Sequence, residues 1–212
     1  MQIEEPSGML GPVVSDALLA RITLAGDQKA FATLVLRYQT TIFQFIYRFL
    51  GDHQQACDVL QEIFLRFYHA LPARTTDTSF KLCLLQMAYN CCIDELRQRG
   101  GRTYRLSQFY GAQWIGETQF MGAVSDLSPL SAARLDRPDL QQILQQALIS
   151  LSPEQRAVVI LRYVSRLSFA EIGRVLEMPA LVAQTCFTLA KIELRQYLRE
   201  RQALIAISSE KM

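Results

Sequence analysis

Leu151-Ser152-Pro153-Glu154-Gln155-Arg156-Ala157-Val158 and Leu167-Ser168-Phe169-Ala170-Glu171-Ile172 decide how the last third of this chain folds. Each carries a serine followed three residues later by Gln or Glu, the reciprocal capping box that starts a helix. Pro153 reinforces the first start, because the first helical residue has no intrahelical use for its N–H. The helix that follows carries Val158, Val159, Leu161 and Tyr163 and ends near Leu167. The second is short and runs through Ile172, Val175 and Leu176. Glu177-Met178-Pro179 turns the chain, and a long helix follows from about Ala180 to beyond Arg199. A short helix, a tight turn and a longer helix behind a supporting helix is the layout of a helix-turn-helix. Upstream, Leu140, Ile143, Leu144, Ala147 and Leu148 recur at helical spacing and place the start of this block at Pro138.

The N-terminal half is helical by the same criterion. Phe31, Leu34, Tyr38, Ile42, Phe45 and Phe49 fall close to one stripe. Gly51-Asp52 then supplies a C-cap followed by an N-cap. The next helix runs through Ala56, Val59, Leu60, Ile63, Phe64 and Phe67 until Pro72 stops it. After the polar loop Arg74 to Ser79, a third helix carries Phe80, Leu84, Met87, Cys91 and Leu96 and ends at Gly100-Gly101. The expectation is an all-α chain: a helical bundle over 16–100, a linker over 101–137 and a helix-turn-helix domain over 138–202. The linker has glycines and no sustained period, yet Phe109, Tyr110, Trp114, Ile115, Phe120 and Met121 are costly to leave in water. It lies either in a groove of its own chain or on a partner.

Bulk properties exclude more than they assign. Half of the 212 residues are hydrophobic, enough to bury a core, while a net charge of +2 neither announces nor excludes a nucleic-acid partner. Cys57, Cys83, Cys91, Cys92 and Cys186 form an odd set without a Cys-x-x-Cys pair, and His53 and His69 lie far from Cys91 and Cys92. That spacing builds no zinc site, so buried thiols in a reducing compartment are expected, with no metal and no cofactor. Glu4 and Glu5 head the chain where a secretory signal would be basic, and every apolar run breaks before about 18 residues. The expected location is the cytoplasm, with no membrane span. No nucleophile–base pair or Gly-rich phosphate loop suggests an enzyme.

A longer pattern joins the two halves. Gly26-Asp27-Gln28-Lys29-Ala30-Phe31, Tyr47-Arg48-Phe49-Leu50, Asp58-Val59-Leu60-Gln61-Glu62-Ile63-Phe64, then Phe80, Ala88, Asn90, Asp94 and Arg97, precede the two capped segments. In this order and at these separations they resemble the extracytoplasmic-function (ECF) group of bacterial sigma factors, over about 16–100 and 138–200. The resemblance implies an alternative sigma factor that binds core RNA polymerase and directs promoter-specific transcription initiation, with catalysis left to the polymerase. An anti-sigma protein joins the partners it suggests.

Residue by residue, the resemblance assigns polymerase binding to Asp58, Gln61, Glu62, Phe64 and Arg66, whose polar members share three- and four-residue spacing. A solvated face with Arg66 paired to Glu62 is the plainer alternative. Capture of melted promoter DNA falls to Arg74, Lys81, Asn90, Arg97, Arg99 and Arg102, cations and an amide suited to a strand out of its stack. Asp94 serves equally well to orient Arg97. Leu82-Cys83-Leu84 stands where the family carries Trp-Leu.

In the second domain, Gln184, Thr185, Thr188 and Lys191 are the residues left to read duplex DNA, with Arg162, Arg166 and Arg174 available for phosphates. The reading helix is short of cations, and Glu177 replaces the turn glycine usual in the family, so promoter contact through this domain is expected to be weak. The alternative is a sigma-derived polymerase-binding regulator whose last helix, exposing Leu181, Val182, Phe187 and Leu189, binds a protein instead of promoter DNA.

Overall fold

The computed structural model describes residues 14–73, 79–100 and 138–209, with side chains except at 73, 99–100, 138–140 and 202–209. Within these residues the chain forms eight α-helices and no strand. The first four are α1 (Asp16–Leu24), α2 (Gln28–Leu50), α3 (His53–Ala70) and α4 (Phe80–Gly100), with a 3₁₀ turn at Leu71–Ala73. The second four are α5 (Pro138–Ser150), α6 (Pro153–Tyr163), α7 (Phe169–Leu176) and α8 (Ala180–Ser209). The 101–137 segment, with Arg102 and Trp114, lies outside the described residues, as does Arg74.

The boundaries follow from caps. Ser15, Asp27 and Asp52 each accept a bond from a backbone N–H in the first turn of α1, α2 and α3. Gly51 ends α2 with φ of +79°, where a Cβ would come within 2.7 Å of Ile149 Cδ1 on α5. The left-handed cap favours glycine there, and a side chain would also push the tip of Ile149 aside. Both capping boxes form: Ser152 with Gln155 opens α6, and Ser168 with Glu171 opens α7. Hydrogen bonds from the Ser168 hydroxyl and then its backbone N–H hold the Glu171 carboxyl below its ordinary range.

In the first half, α2 supplies Leu34, Val35, Ile42, Phe43, Phe45, Ile46 and Phe49, all nearly or fully buried against α3 and α4. Leu82, Cys83 and Leu84 on α4 are buried too, so the stretch where the resemblance led to Trp-Leu packs into this core. The buried set continues without interruption into Ala157, Val158, Ile160 and Leu161 on α6 and Ile172, Val175 and Leu176 on α7. The two groups of helices thus share one core, with α4 against α7 and α2 against α5 and α6.

Arg156 stands at the centre of that junction. It is 6% exposed, and its guanidinium donates to the carbonyls of Leu148 (2.9 Å), Ile149 (2.7 Å), Leu151 (3.1 Å) and Phe49 (2.8 Å). Phe49 lies in the last turn of α2, and Leu148 and Ile149 in the last turn of α5. Terminal carbonyls lack intrahelical donors and carry the negative end of the helix dipole. One buried cation therefore caps two helices from different halves of the chain.

Candidate functional site

The polar face expected on α3 forms, with one correction. Asp58 is exposed, Gln61, Glu62 and Arg66 are half-buried, and Val59, Leu60, Ile63, Phe64 and Phe67 fill the opposite, inner face. Phe64 is fully buried, so it supports this face from within and cannot touch a partner. Its place in the three- and four-residue apolar stripe was the sequence signal for that. Gln54 donates to Asp58 at 3.3 Å, and Arg66 forms an ion pair with Glu62 at 2.5 Å. The second Arg66 nitrogen lies 3.3 Å from Cys91 Sγ on α4, which ties the rim of the face to the bundle. Burial pushes the Cys91 thiol up to about 11 against the pull of Arg66, leaving it neutral at ordinary pH.

On α4, Asn90 and Arg97 are exposed and lie about two helical turns apart. Arg97 meets Asp94 at 3.6 Å, but both are well exposed, so the pair holds Arg97 only loosely. Lys81, at the other end of α4, is half-buried and donates to the Ser165 carbonyl at 2.9 Å. Arg99 falls among the residues without a described side chain. The structure thus presents Asn90 and Arg97 openly, while Lys81 is already engaged by the second half.

On α8, Gln184, Thr185 and Thr188 are exposed and Lys191 is half-buried. Both threonine hydroxyls donate back to their own helix, to Leu181 and Gln184 carbonyls at 3.0 Å, which leaves their lone pairs to accept from a base amino group. The Lys191 ammonium lies 5.5 Å from the Phe187 ring centroid. Phe187 corrects an expectation: it is half-buried between Tyr163 and Phe169, with centroids 5.5 and 5.6 Å away, and adds little to an apolar surface. Leu181, Val182, Leu189 and Ile192 do stay exposed, Leu181 to 73%.

The phosphate candidates also differ. Arg162 donates to the Leu167 carbonyl and lies over the Phe169 ring, whereas Arg174 is exposed in the last turn of α7. Glu177 caps α7 in the left-handed conformation (φ 54°), and its carboxylate accepts from Gln86 on α4 at 2.6 Å. The residue that departs from the family's glycine thus bridges to the first half, which sequence spacing did not reveal. Among the described residues, no group of three or more His, Cys, Asp or Glu side chains is placed to hold a metal. No single described helix is long and apolar enough to cross a membrane.

Comparison with known proteins fits this geometry. The sigma-70 region 2 family model matches residues 34–102, and the sigma-70 region 4 model matches 141–180. The chain is 31% identical over 175 residues to the ECF RNA polymerase sigma factor SigW of Bacillus subtilis, covering 82% of this chain and 92% of that protein. It is 30% identical over 168 residues to the ECF RNA polymerase sigma-E factor of Escherichia coli, covering 78% and 85%. Among solved structures, CnrH in complex with the cytosolic domain of CnrY superposes with a TM-score of 0.61 at 21% identity, covering 87% of this chain and 97% of that one. RpoE of Bartonella quintana, in complex with the anti-sigma factor NepR, gives 0.59 at 18% identity, covering 81% and 98%. With two ordered family matches, full-length relatives and the same all-helical fold, the chain belongs to the ECF group of the sigma-70 family.

Proposed function

We propose that this alternative sigma factor docks on core RNA polymerase through the Asp58, Gln61 and Glu62 face of α3 and contacts the melted promoter strand along α4. The observation that carries the reading is the division of α3 into an apolar face in the core and an outer polar face within the region 2 match. Arg66 braces Glu62, and Phe64 braces the helix from behind. Asn90 and Arg97 supply an amide and a cation to an unstacked strand; Lys81 and, on the family resemblance alone, Arg74 and Arg99 are the further cations assigned to it. Gln184, Thr185, Thr188 and Lys191 on α8 read the duplex, weakly, since so few cations accompany them. A partner of the anti-sigma kind fits a chain whose fold matches the sigma factor RpoE of Bartonella quintana, solved with the anti-sigma factor NepR.

The docking claim is tested by competition against a labelled sigma factor for core polymerase. The Asp58→Ala/Gln61→Ala chain should bind at least tenfold more weakly, a change of about 1.4 kcal/mol, with unchanged helix content. Equal affinity overturns the assignment of this face.

The exposed Leu181, Val182, Leu189 and Ile192 favour a second reading, in which α8 meets a protein and leaves promoter recognition to the first half. Duplex binding by the full chain across salt concentrations separates the two. A steep negative slope supports DNA reading by α8. No binding at low salt supports the protein surface.

A further inference from the structure

The outer face of α8 is an apolar surface that neither polymerase docking nor strand contact uses. Leu181, Thr185, Thr188 and Ile192 follow one another at four-, three- and four-residue steps, so they form one outward stripe. Val182 and Leu189, seven residues apart, flank it on one side; Gln184 and Lys191, also seven apart, flank it on the other. Ala183 and Ala190 are buried on the opposite side of the helix, with Phe187 and Leu194 half-buried beside them. Leu181, Val182, Leu189 and Ile192 are between 44% and 73% exposed. Residues 178–190 carry no charge, and the first charges beyond them are of opposite sign, Glu177 before the helix and then Lys191, with Arg195 one turn on. Phosphates find little to hold them on this stripe, whereas a second uncharged helix can fill it.

We propose that a second copy of this chain covers the stripe, the two α8 helices packing antiparallel about a two-fold axis between Cys186 and Phe187. The proposal rests on the reading in which α8 meets a protein and names that protein. In a two-fold contact residue i meets j while j meets i, so a single register must satisfy the whole face. One register does so. Leu181 meets Ile192 of the second copy, Thr185 meets Thr188, and Val182 lies beside Leu189 on the rim, each pair forming twice. On the other rim Gln184 offers its amide oxygen to Lys191 of the second copy. Glu177 falls opposite Arg195, and its carboxylate keeps an oxygen besides the one that accepts from Gln86. Threonines at the centre let the helices approach, and apolar pairs seal both ends. A parallel pairing would instead set Lys191 on Lys191 and Arg195 on Arg195. The antiparallel pairing also covers Gln184, Thr185 and Thr188, so a paired chain cannot read duplex DNA through α8.

Sedimentation equilibrium of the full chain tests the pairing, with duplex binding across salt concentrations as a second measurement. The wild-type chain should approach twice its 24.1 kDa mass as concentration rises. Leu181→Asp and Ile192→Arg, both at exposed positions where folding is not at risk, should each weaken the dimer by at least about tenfold, a loss of about 1.4 kcal/mol. Mixed in equal amounts the two variants should dimerise again, because the antiparallel register sets the new carboxylate on the new guanidinium. A dimer that both variants leave intact overturns the face, and a mixture that stays monomeric overturns the register and the proposal with it. A wild-type chain monomeric throughout overturns the pairing. Absence of duplex binding at low salt then keeps the reading in which α8 meets a protein, and a steep negative salt slope overturns that reading as well.

Discussion

Replacing Arg156 with Met tests the interdomain core at its most buried cation. Two of the four carbonyls it satisfies, those of Phe49 and Leu151, sit in buried surroundings, while those of Leu148 and Ile149 are bonded at the partly exposed edge. Water can replace the guanidinium at the edge but not in the interior. Each buried carbonyl left without a donor costs about 1–3 kcal/mol, so the change should destabilise the chain by about 2–6 kcal/mol. Met fills the volume of the stem, which keeps cavity formation out of the difference. Against a total stability of about 5–15 kcal/mol this is a large fraction. With a urea slope of roughly 2–3 kcal/mol/M, the midpoint should fall by about 0.7–3 M at unchanged slope. Arg156→Lys should fall between, because one ammonium has three donors and no fork to reach two helix ends. Arg162→Met, which gives up one hydrogen bond and the contact over the Phe169 ring at an exposed side chain, should move the midpoint far less. A shift for Arg156→Met no larger than that of Arg162→Met refutes the reasoning.

Three further outcomes follow from local geometry. Gly173→Ala, a change that ordinarily strengthens a helix, should instead destabilise by about 1–3 kcal/mol, because the new Cβ would lie 2.5 Å from the Met178 carbonyl oxygen in the turn before α8; thermal denaturation checks the sign. The lowered pKa of Glu171 makes its capping contribution complete above the ordinary value of 4.5 and lost as pH falls through the depressed value, so Glu171→Gln should flatten the acid limb of the stability curve. Cys91, buried beside Arg66 with a thiol raised to about 11, should resist alkylation at pH 8 in the native chain and react on unfolding, whereas half-exposed Cys186 should react first; peptide mapping after timed labelling distinguishes them.

The helices were legible because their signals are local. The Ser152 and Ser168 capping boxes, the Gly51-Asp52 break and the apolar stripe of α2 depend on residues three or four apart, and each forms where that spacing puts it. The polar face of α3 was legible for the same reason. Contacts between distant segments were not. Arg156 looked like one more residue after a capping box, since nothing local says that the ends of α2 and α5 converge on it. Glu177 looked like a misplaced charge near DNA because its partner, Gln86, lies 91 residues away. Phe64 was given an outward role by resemblance, against its own place in the apolar stripe, and Phe187 by its position on the last helix, although packing turns the first fully and the second partly inward.

Run-off transcription with core polymerase tests the central claim most directly, using fragments of the source genome as templates and the full chain as the only sigma factor. Discrete transcripts that require the chain, and that weaken with Asp58→Ala/Gln61→Ala, are the predicted result. No transcript from any template, under conditions where the chain still binds core polymerase, would contradict the account.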